Sequence, residues 1–280
     1  MSLKESMKLA ISNIAFGEGE DQQAAALDRV SQCGVEGLVI APTMIWPEAP
    51  SVGPKEADEY RKRLAERGMA VVGLQSLVFG VDGVALFGEE SGRQRLADHL
   101  KKQAELAGRL GAVSMVFGSP GLRKVGDLST EQAMSEAAEL FSSVAVEANN
   151  NNTRLTIEPL SGYGNEFVRT APEGMELVNR VDNPGFGIHL DSAAMAGAQD
   201  DPVHLVCAVR YYGMRSFDIS APELARPSLA PEIPHKDYAA ALREVGYGGW
   251  LSIEMRGPLG LNDIGQEIDY AKGQYGLHDK

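Results

Sequence analysis

The stretch DYAAALREVGYGGWLSIEM, residues 237–255, contains one complete repeat of the pattern from which the fold can be predicted. Its first part, Asp237–Val245, has the apolar spacing of an amphipathic helix. A glycine-rich return follows, and the apolar run Trp250–Met255 is typical of a buried strand. The stretch therefore predicts a helix, a tight return and a strand that carries an acidic residue, Glu254, near its end.

The same alternation extends over the rest of the chain. Eight runs are predicted to be strands: Lys8–Phe16, Gly37–Pro42, Met69–Phe79, Ala112–Phe117, Arg154–Pro159, Gly185–Asp191, Arg215–Ser220 and Trp250–Met255. Helical patterns cover Asp21–Cys33, Lys55–Glu66, Arg93–Arg109, Thr130–Ala148, Ala171–Val181, Asp237–Val245 and Ile264–Gln274, with a weaker one at Pro202–Val209. Glycines mark the returns from helix to strand at Gly34, Gly68, Gly111 and Gly246. Strands that alternate with helices in this way indicate βαβ units and a parallel sheet.

Eight such units in 280 residues favour an α/β fold in which the sheet closes into a single-domain (β/α)₈ TIM barrel. The alternative is an open, doubly wound sheet. We predict that the barrel covers residues 8–275 and that residues 1–7 are a non-native addition or a disordered N-terminus. The long loops Thr43–Pro54, Gly118–Ser129 and Ala221–Pro234 are expected to cover the C-terminal mouth, where this architecture builds active sites.

The charge balance argues against large anionic partners. Lys and Arg number 26 and Asp and Glu number 39, a net charge of −13 that would repel nucleic acid and anionic membranes. No apolar run reaches the roughly 18 residues of a membrane span, and the N-terminus lacks the apolar segment of a signal peptide. We therefore expect a cytoplasmic enzyme with a small-molecule partner, and a homodimer because dimers are the commonest assembly.

Four carboxylates stand near the ends of the last four predicted strands: Glu158, Asp191, Asp218 and Glu254. Each lies among apolar neighbours, where an unpaired charge is costly to bury. Four acids in one barrel mouth would repel one another unless a cation neutralised them. The sequence thus predicts one divalent cation with oxygen ligands, Mn²⁺ or Mg²⁺ in preference to Zn²⁺ or Co²⁺. For Asp218 taken alone, a helix N-cap or an ion pair with an arginine is an equal alternative.

Two histidines are candidates for the same site. His189 precedes Asp191 by two residues, so on a strand both side chains point to the same face, with His189 one layer deeper in the barrel. A structural role for His189 and a role in orienting the substrate both stay open. His235, in the irregular loop before the last but one helix, could approach the substrate or be solvated.

Several short motifs, in a fixed order, resemble those of one known family. They are Ile-Glu-Pro-Leu at 157–160 with Tyr-Gly-Asn-Glu-Phe at 163–167, Pro-Gly-Phe-Gly-Ile-His-Leu-Asp at 184–191, and Gly-Tyr-Gly-Gly-Trp-Leu-Ser-Ile-Glu-Met at 246–255. Ala-Pro-Thr at 41–43 with Trp46 has the same character. With these motifs the chain resembles the xylose isomerase-like barrel superfamily of sugar phosphate isomerases and epimerases, over nearly its whole length.

The resemblance implies a particular metal site. Ketose 3-epimerases of this family bind one divalent metal through a Glu, an Asp, a His and a Glu, which by position would be Glu158, Asp191, Asp218 and Glu254. Asp218 departs from the pattern because it stands where the family has a histidine. A further family histidine, three residues after the Asp, is Ala194 here. The resemblance thus leaves open binding through oxygen alone, weak binding or loss of the metal.

The resemblance also implies an activity and the residues that carry it. The expected reaction is the metal-dependent isomerisation or epimerisation of a sugar or sugar phosphate, by proton abstraction next to a carbonyl and through an enediolate. Glu158 and Glu254 would be the two catalytic carboxylates. The residues expected to line the substrate pocket are His189, His235, Tyr163, Trp46, Gln75, Arg226 and Arg256.

Three other functions are alternatives to this one. A lyase or dehydratase acting on a keto-sugar or cyclitol would use the same site but expel a leaving group from the enediolate. A non-catalytic sugar-binding barrel with a degenerate metal site would explain the loss of the two family histidines. DNA repair of the endonuclease IV kind needs many histidines and a basic groove, which five histidines and a charge of −13 disfavour.

Overall fold

The fold is a nearly closed barrel of parallel strands surrounded by helices. The computed structural model describes residues 6–17, 20–162 and 164–277. In this part of the chain the strands are β1 (Lys8–Ser12), β2 (Gly37–Ile40), β3 (Ala70–Leu74), β4 (Ser114–Phe117), β5 (Leu155–Ile157), β6 (Phe186–Ile188), β7 (Leu190–Asp191), β8 (Ser216–Ile219) and β9 (Trp250–Ile253). The helices are α1 (Glu20–Gln32), α2 (Pro54–Ala65), α3 (Glu90–Leu110), α4 (Thr130–Asn150), α5 (Ala171–Val181), α6 (Ser192–Ala198), α7 (Val203–Tyr211), α8 (His235–Glu244) and α9 (Leu261–Tyr275). The predicted TIM barrel is confirmed.

The sheet has the strand order β6-β5-β4-β3-β2-β1-β9-β8-β7, and the strand pairs are parallel. One predicted strand, Gly185–Asp191, is divided at His189 into β6, which pairs with β5, and β7, which pairs with β8. The backbone N–H of His189 still donates to the carbonyl of Ile157 in β5, at 2.9 Å. At His189 the hydrogen-bond partner of this chain segment changes from β5 to β8. This change divides one predicted strand in two, which is why eight predicted strands are observed as nine.

Two predicted strands are shorter than expected because polar side chains and a strained backbone end them. β1 stops at Ser12, whose hydroxyl accepts from the N–H of Ile14 and begins a 3₁₀ turn at Asn13–Ala15. The Asn13 side chain then accepts from the N–H of Ala41, at 2.8 Å, and ties this turn to the end of β2. The strand predicted over Met69–Phe79 ends at Leu74, shortly before Ser76 takes a positive φ of 53°. Both chain segments thus turn into loops at the C-terminal mouth.

The glycines predicted at the helix-to-strand returns have the expected backbone conformation. Gly34, Gly68, Gly111 and Gly246 have φ angles of 73°, 71°, 77° and 71°. Glycine adopts this left-handed conformation without a Cβ clash, and it is the usual way in which a helix ends. The repeated glycine is therefore what turns the chain from each of these helices towards the next strand.

Side chains of the strands alternate between the barrel interior and the surrounding helices. Leu9 and Ile11 of β1 belong to the large core beneath the helices, whereas Ala10 between them packs inside the barrel with Val39 and Val72. Next to Ala10, a Cβ on Gly37 would come within 2.8 Å of the Trp250 ring. Small side chains packed around the Trp250 ring therefore close the end of the barrel at which the strands begin. The other end, at which the strands finish, is available for a binding site.

The N-terminal segment and two helices complete the description of the fold. Of the segment 1–7, residues 1–5 lie outside the described residues, and the partly buried Met7 packs against the core. α7 extends the weak pattern Pro202–Val209 to Tyr211, and the short helix α6 was not predicted. Within the described part of the chain, none of the helices combines the length and the apolar character that crossing a membrane requires.

Candidate active site

A cavity of about 640 Å³ opens at the C-terminal ends of the strands. Its size is within the range of small-molecule binding sites, about 300–1,000 Å³. The four carboxylates predicted from the sequence, at residues 158, 191, 218 and 254, all contribute to its lining. The predicted loops Gly118–Ser129 and Ala221–Pro234 also contribute, but the predicted loop Thr43–Pro54 supplies none of the described residues around the cavity.

Three of the four carboxylates converge. In the described part of the chain, ligand oxygens of Glu158, Asp191 and Glu254 all lie within 4.8 Å of one another, and we call these residues the three-carboxylate cluster. They come from the ends of β5, β7 and β9, since parallel strands in a barrel bring their carboxyl ends to one mouth. Three carboxylate oxygens at such short range form a donor set suited to a hard divalent cation.

Neighbouring groups hold the cluster in position. The Gln75 side-chain amide donates to Oε1 of Glu254, at 2.8 Å. Asp191 caps the N-terminus of α6, where its Oδ1 accepts from the N–H of Ala194 at 2.6 Å. The hydroxyl of Ser220 donates to Oδ2 of Asp191. These hydrogen bonds fix two of the three carboxylates, as neighbours of a metal site usually do.

The cluster is electrostatically unfavourable when all its carboxylates are charged. Burial, followed by repulsion from Asp191 and Asp218, raises the pKa of Glu158 to about 7. Burial also raises the pKa of Asp191 to about 6, although the hydrogen bond from Ser220 acts in the opposite direction. Removal from water and repulsion by the other acids raise the pKa of Glu254 well above its usual range. A cation placed among these groups would relieve that repulsion.

Asp218 differs from the other three acids because it faces a histidine. Its Oδ2 lies 3.1 Å from Nε2 of His189, whose Nδ1 lies 3.1 Å from the hydroxyl of Ser216. Burial alone would lower the pKa of His189, but Asp218, with smaller effects from Glu158 and Asp191, raises it to about 9. Asp218 therefore forms a buried ion pair with His189, which lies beneath the cavity rather than at its surface.

Of the predicted substrate residues, two line the cavity. Gln75 and Arg256 are both part of its wall, and Gln75 also contacts Glu254. Tyr163 lies outside the described residues. His189 has the deeper position that its spacing from Asp191 predicted.

The structure places two other predicted substrate residues away from the cavity. The ring of Trp46 is buried edge-on against Tyr60 of α2, with 5.2 Å between the ring centroids. Arg226 pairs with Glu267, at 2.7 Å, and with Asp263, at 2.8 Å, both on α9. These side chains are committed to packing and to ion pairs, so we correct the expectation that they contact substrate.

His235 is a third correction, because it is buried at the start of α8 rather than solvated or close to the cavity. Its Nδ1 lies 3.1 Å from the Tyr275 hydroxyl, and its ring packs edge-on against the rings of Tyr270 and Tyr275. Burial lowers the pKa of His235 to about 4. The residue therefore joins α8 to α9 in its neutral form.

This burial makes acid stability depend on His235. Below its ordinary pKa the histidine takes up a proton in the unfolded chain, whereas in the folded protein it stays neutral down to about pH 4, so its contribution is lost as the pH falls. Between pH 7 and pH 5 we expect wild type to lose about 1–2 kcal/mol more unfolding free energy than His235→Asn. Urea unfolding of both proteins at the two pH values measures this difference, and equal losses would contradict it.

Comparison with known proteins agrees with this geometry. Residues 27–273 match the family model described as xylose isomerase-like TIM barrel. Among curated proteins, no sequence matches the chain. Among solved structures, the chain is similar to D-psicose 3-epimerase from Clostridium cellulolyticum H10, with a TM-score of 0.80, 16% identity, and coverage of 96% of this chain and 99% of that one.

Two further structures have the same degree of likeness. An L-ribulose 3-epimerase has a TM-score of 0.79 and 16% identity, with 97% of this chain and 94% of that one covered. The 3-keto-D-glucoside 4-epimerase YcjR from E. coli has a TM-score of 0.77 and 16% identity, with 96% and 100% covered. Identities this low establish the shared fold, while the family model rests on the sequence itself. The chain belongs to the xylose isomerase-like TIM barrel family.

Proposed function

We propose that this protein is a divalent-metal-dependent epimerase or isomerase that acts on a sugar or sugar phosphate. The observation that carries the proposal is the three-carboxylate cluster, which stands at the mouth of the barrel in a cavity large enough for a monosaccharide. The three solved structures compared above are named as epimerases of sugars or their keto derivatives, which supports the same class of reaction.

The residues present fit a metal. Glu158, Asp191 and Glu254 would hold the cation through oxygen, and a donor set of carboxylates favours Mn²⁺ or Mg²⁺. When bound, such a cation would polarise the carbonyl group of the substrate and favour loss of the neighbouring proton. Asp218, which the sequence suggested as a fourth ligand, would instead contribute by keeping His189 charged and in place.

The proton transfers fall to Glu158 and Glu254. These side chains reach the cavity from separate strands, β5 and β9, so they can approach a bound sugar from different sides. One carboxylate takes the proton from the carbon next to the carbonyl, and the electrons of that C–H bond move to the carbonyl oxygen to give an enediolate. The other returns a proton to the carbon from the opposite face.

Solvent exchange tests this proposal directly. Metal-stripped protein supplied with Mn²⁺ would be incubated in D₂O with free and phosphorylated ketoses, and the carbon-bound proton next to the carbonyl would be followed by NMR. We expect deuterium to enter at that carbon together with formation of the epimer or isomer. Loss of water from the sugar would assign the site to a lyase or dehydratase, and binding without exchange would indicate a non-catalytic sugar-binding barrel.

A glycine in the cavity wall provides a test of the metal site. A Cβ on Gly118 would stand 2.6 Å from Oε2 of Glu158, so Gly118→Ala must displace that carboxylate. We expect Mn²⁺ affinity, measured by calorimetry, to fall about tenfold, in the range typical for disturbed metal surroundings. Gly121→Ala, in the same loop, is the matched control because its Cβ would meet no atom within 4 Å. Equal Mn²⁺ affinities in the two variants would contradict the assignment of Glu158 as a metal ligand.

The wider setting of the activity also remains a proposal. We infer a small diffusible substrate, because a net charge of −13 disfavours nucleic acid and anionic membranes as partners, and we propose a cytoplasmic location. A homodimer is the assembly we expect.

A further inference from the structure

A buried arginine lies behind the cavity wall. Arg123, in the loop that follows β4, is 0% exposed. Its guanidinium donates to three backbone carbonyls, those of Glu158 at 2.7 Å, Phe117 at 2.5 Å and Val168 at 3.3 Å. It also lies over the ring of Phe117, 5.6 Å from the centroid. Burying a cation is costly unless its hydrogen bonds repay the loss of water, so this arrangement calls for an explanation.

The three carbonyls belong to three separate chain segments. Phe117 ends β4, Glu158 directly follows β5, and Val168 lies in the loop that leads to α5. Val168 has a positive φ of 55°, which is a strained conformation for a β-branched residue and persists only where the surroundings impose it. Arg123 thus joins the ends of two neighbouring strands to a strained loop.

Further hydrogen bonds connect the loop that follows β4 with the loop that follows β5. The carbonyl of Arg123 accepts from the N–H of Glu166, at 3.2 Å, and the Glu166 carboxylate accepts from the N–H of Val125, at 3.0 Å. The side chain of Asn165 donates to the carbonyls of Leu160, at 2.7 Å, and Val168, at 3.2 Å. The β4 loop and the β5 loop therefore form one unit with Arg123 at its centre, and both loops line the cavity.

We propose that Arg123 is a positioning residue, which holds Glu158 and the adjoining cavity wall in place for metal and substrate. The inference rests on the proposed function for its catalytic consequence, while the positioning itself can be tested without metal. A guanidinium offers five donors in a rigid planar fork, so it can bind several carbonyls at fixed angles. A lysine at this position would keep the charge but lose that geometry.

A purely electrostatic role for Arg123 and a positioning role predict opposite effects of its replacement on Mn²⁺ binding. A cation near the cluster repels a metal ion, so on charge alone Arg123→Met should bind Mn²⁺ more tightly and Arg123→Lys should resemble wild type. If positioning governs the site, both variants lose the ordered carbonyl contacts to Glu158. Both should then bind Mn²⁺ about tenfold or more weakly, the usual effect of losing the partner of a metal ligand.

Arg154 provides the matched control. It lies next to the opposite end of β5 and also donates to backbone carbonyls, those of Pro184 at 2.8 Å and Gly213 at 2.7 Å. Arg154→Met should therefore destabilise the barrel without touching the cavity. The comparison separates a general loss of stability, read as the melting temperature, from a specific effect on the site.

The experiment combines hydrogen exchange of the metal-free proteins with Mn²⁺ calorimetry. We expect faster amide exchange at 124–128, 158–162 and 164–168 in Arg123→Lys and Arg123→Met but not in Arg154→Met, and weaker Mn²⁺ binding in the same two variants. Unchanged exchange in these segments, or tighter Mn²⁺ binding by Arg123→Met, would overturn the proposal. If Mn²⁺ does not bind even to wild type, the proposed metal-dependent function fails, and the exchange rates still decide whether Arg123 positions the wall.

Discussion

Glu254→Gln is expected to lower turnover of the ketose substrate by at least ~10²-fold, the usual effect of removing a general acid or base. The substitution keeps the size of the side chain and its capacity to contact Gln75, which now donates to Oε1 of Glu254 at 2.8 Å. It removes the carboxylate, so the group can no longer take a proton from carbon or return it. Glu158→Gln is expected to have an effect of the same order for the same reason.

The measurement is the rate of epimer formation at saturating Mn²⁺, together with deuterium exchange of the substrate in D₂O. Saturation matters because Glu254 belongs to the three-carboxylate cluster, so we expect its loss to weaken metal binding as well. Glu244→Gln is the control, because this glutamate, at the end of α8, is exposed and outside the cavity lining. Near-normal turnover in both cluster variants would refute the assignment of the two proton-transfer groups.

The acids of the site could be predicted because a parallel barrel brings all strand ends to one mouth. Glu158, Asp191 and Glu254 needed only a place at the end of a strand for the fold to bring their oxygens within 4.8 Å. The returns at glycines such as Gly111 were equally local, since a left-handed residue ends a helix whatever surrounds it. Local pattern and topology were sufficient for these features.

The loop residues could not be predicted because distant parts of the chain direct them. Arg226 turns to Glu267 of α9, 41 residues further along the sequence, and nothing near Arg226 indicates that partner. Trp46 is held by the ring of Tyr60 on the neighbouring helix. Nothing in the sequence singles out Arg123, because a charged residue in a glycine- and proline-containing loop normally lies at the surface. Its burial depends on three carbonyls brought together only by the fold.

Asp218 shows the same limit inside the barrel. The sequence placed it beside the other three acids and left a choice between a metal ligand and a structural partner. The strand pairing sets Asp191 directly opposite Asp218, but the Asp218 side chain contacts His189, one layer below. The positive charge of the pair comes from His189, whose pKa is raised by Asp218 against the effect of burial. Side-chain packing decides which neighbour each carboxylate oxygen faces, and the apolar periodicity of the sequence does not encode that packing.

Breaking this pair should therefore be costly. His189 and Asp218 are 1% and 5% exposed, so removing one partner leaves the other charged and buried or forces it to change its protonation. We expect Asp218→Asn and His189→Gln each to lower the free energy of unfolding by about 3 kcal/mol, as is typical for a broken buried ion pair. Urea unfolding at pH 7 measures both values.

The double variant tests whether the two residues act as a pair, and metal binding tests their place in the site. Coupling across the 3.1 Å contact should make the double loss smaller than the sum of the single losses by about 1–3 kcal/mol. Because one oxygen of Asp218 contacts His189 and the residue lies outside the three-carboxylate cluster, Asp218→Asn should retain Mn²⁺ binding better than Asp191→Asn, which removes a cluster oxygen. Additive losses would show that the pair contributes no coupling. An equal fall in Mn²⁺ affinity would show that Asp218 turns towards the metal when one is bound, and the site would then have four carboxylates.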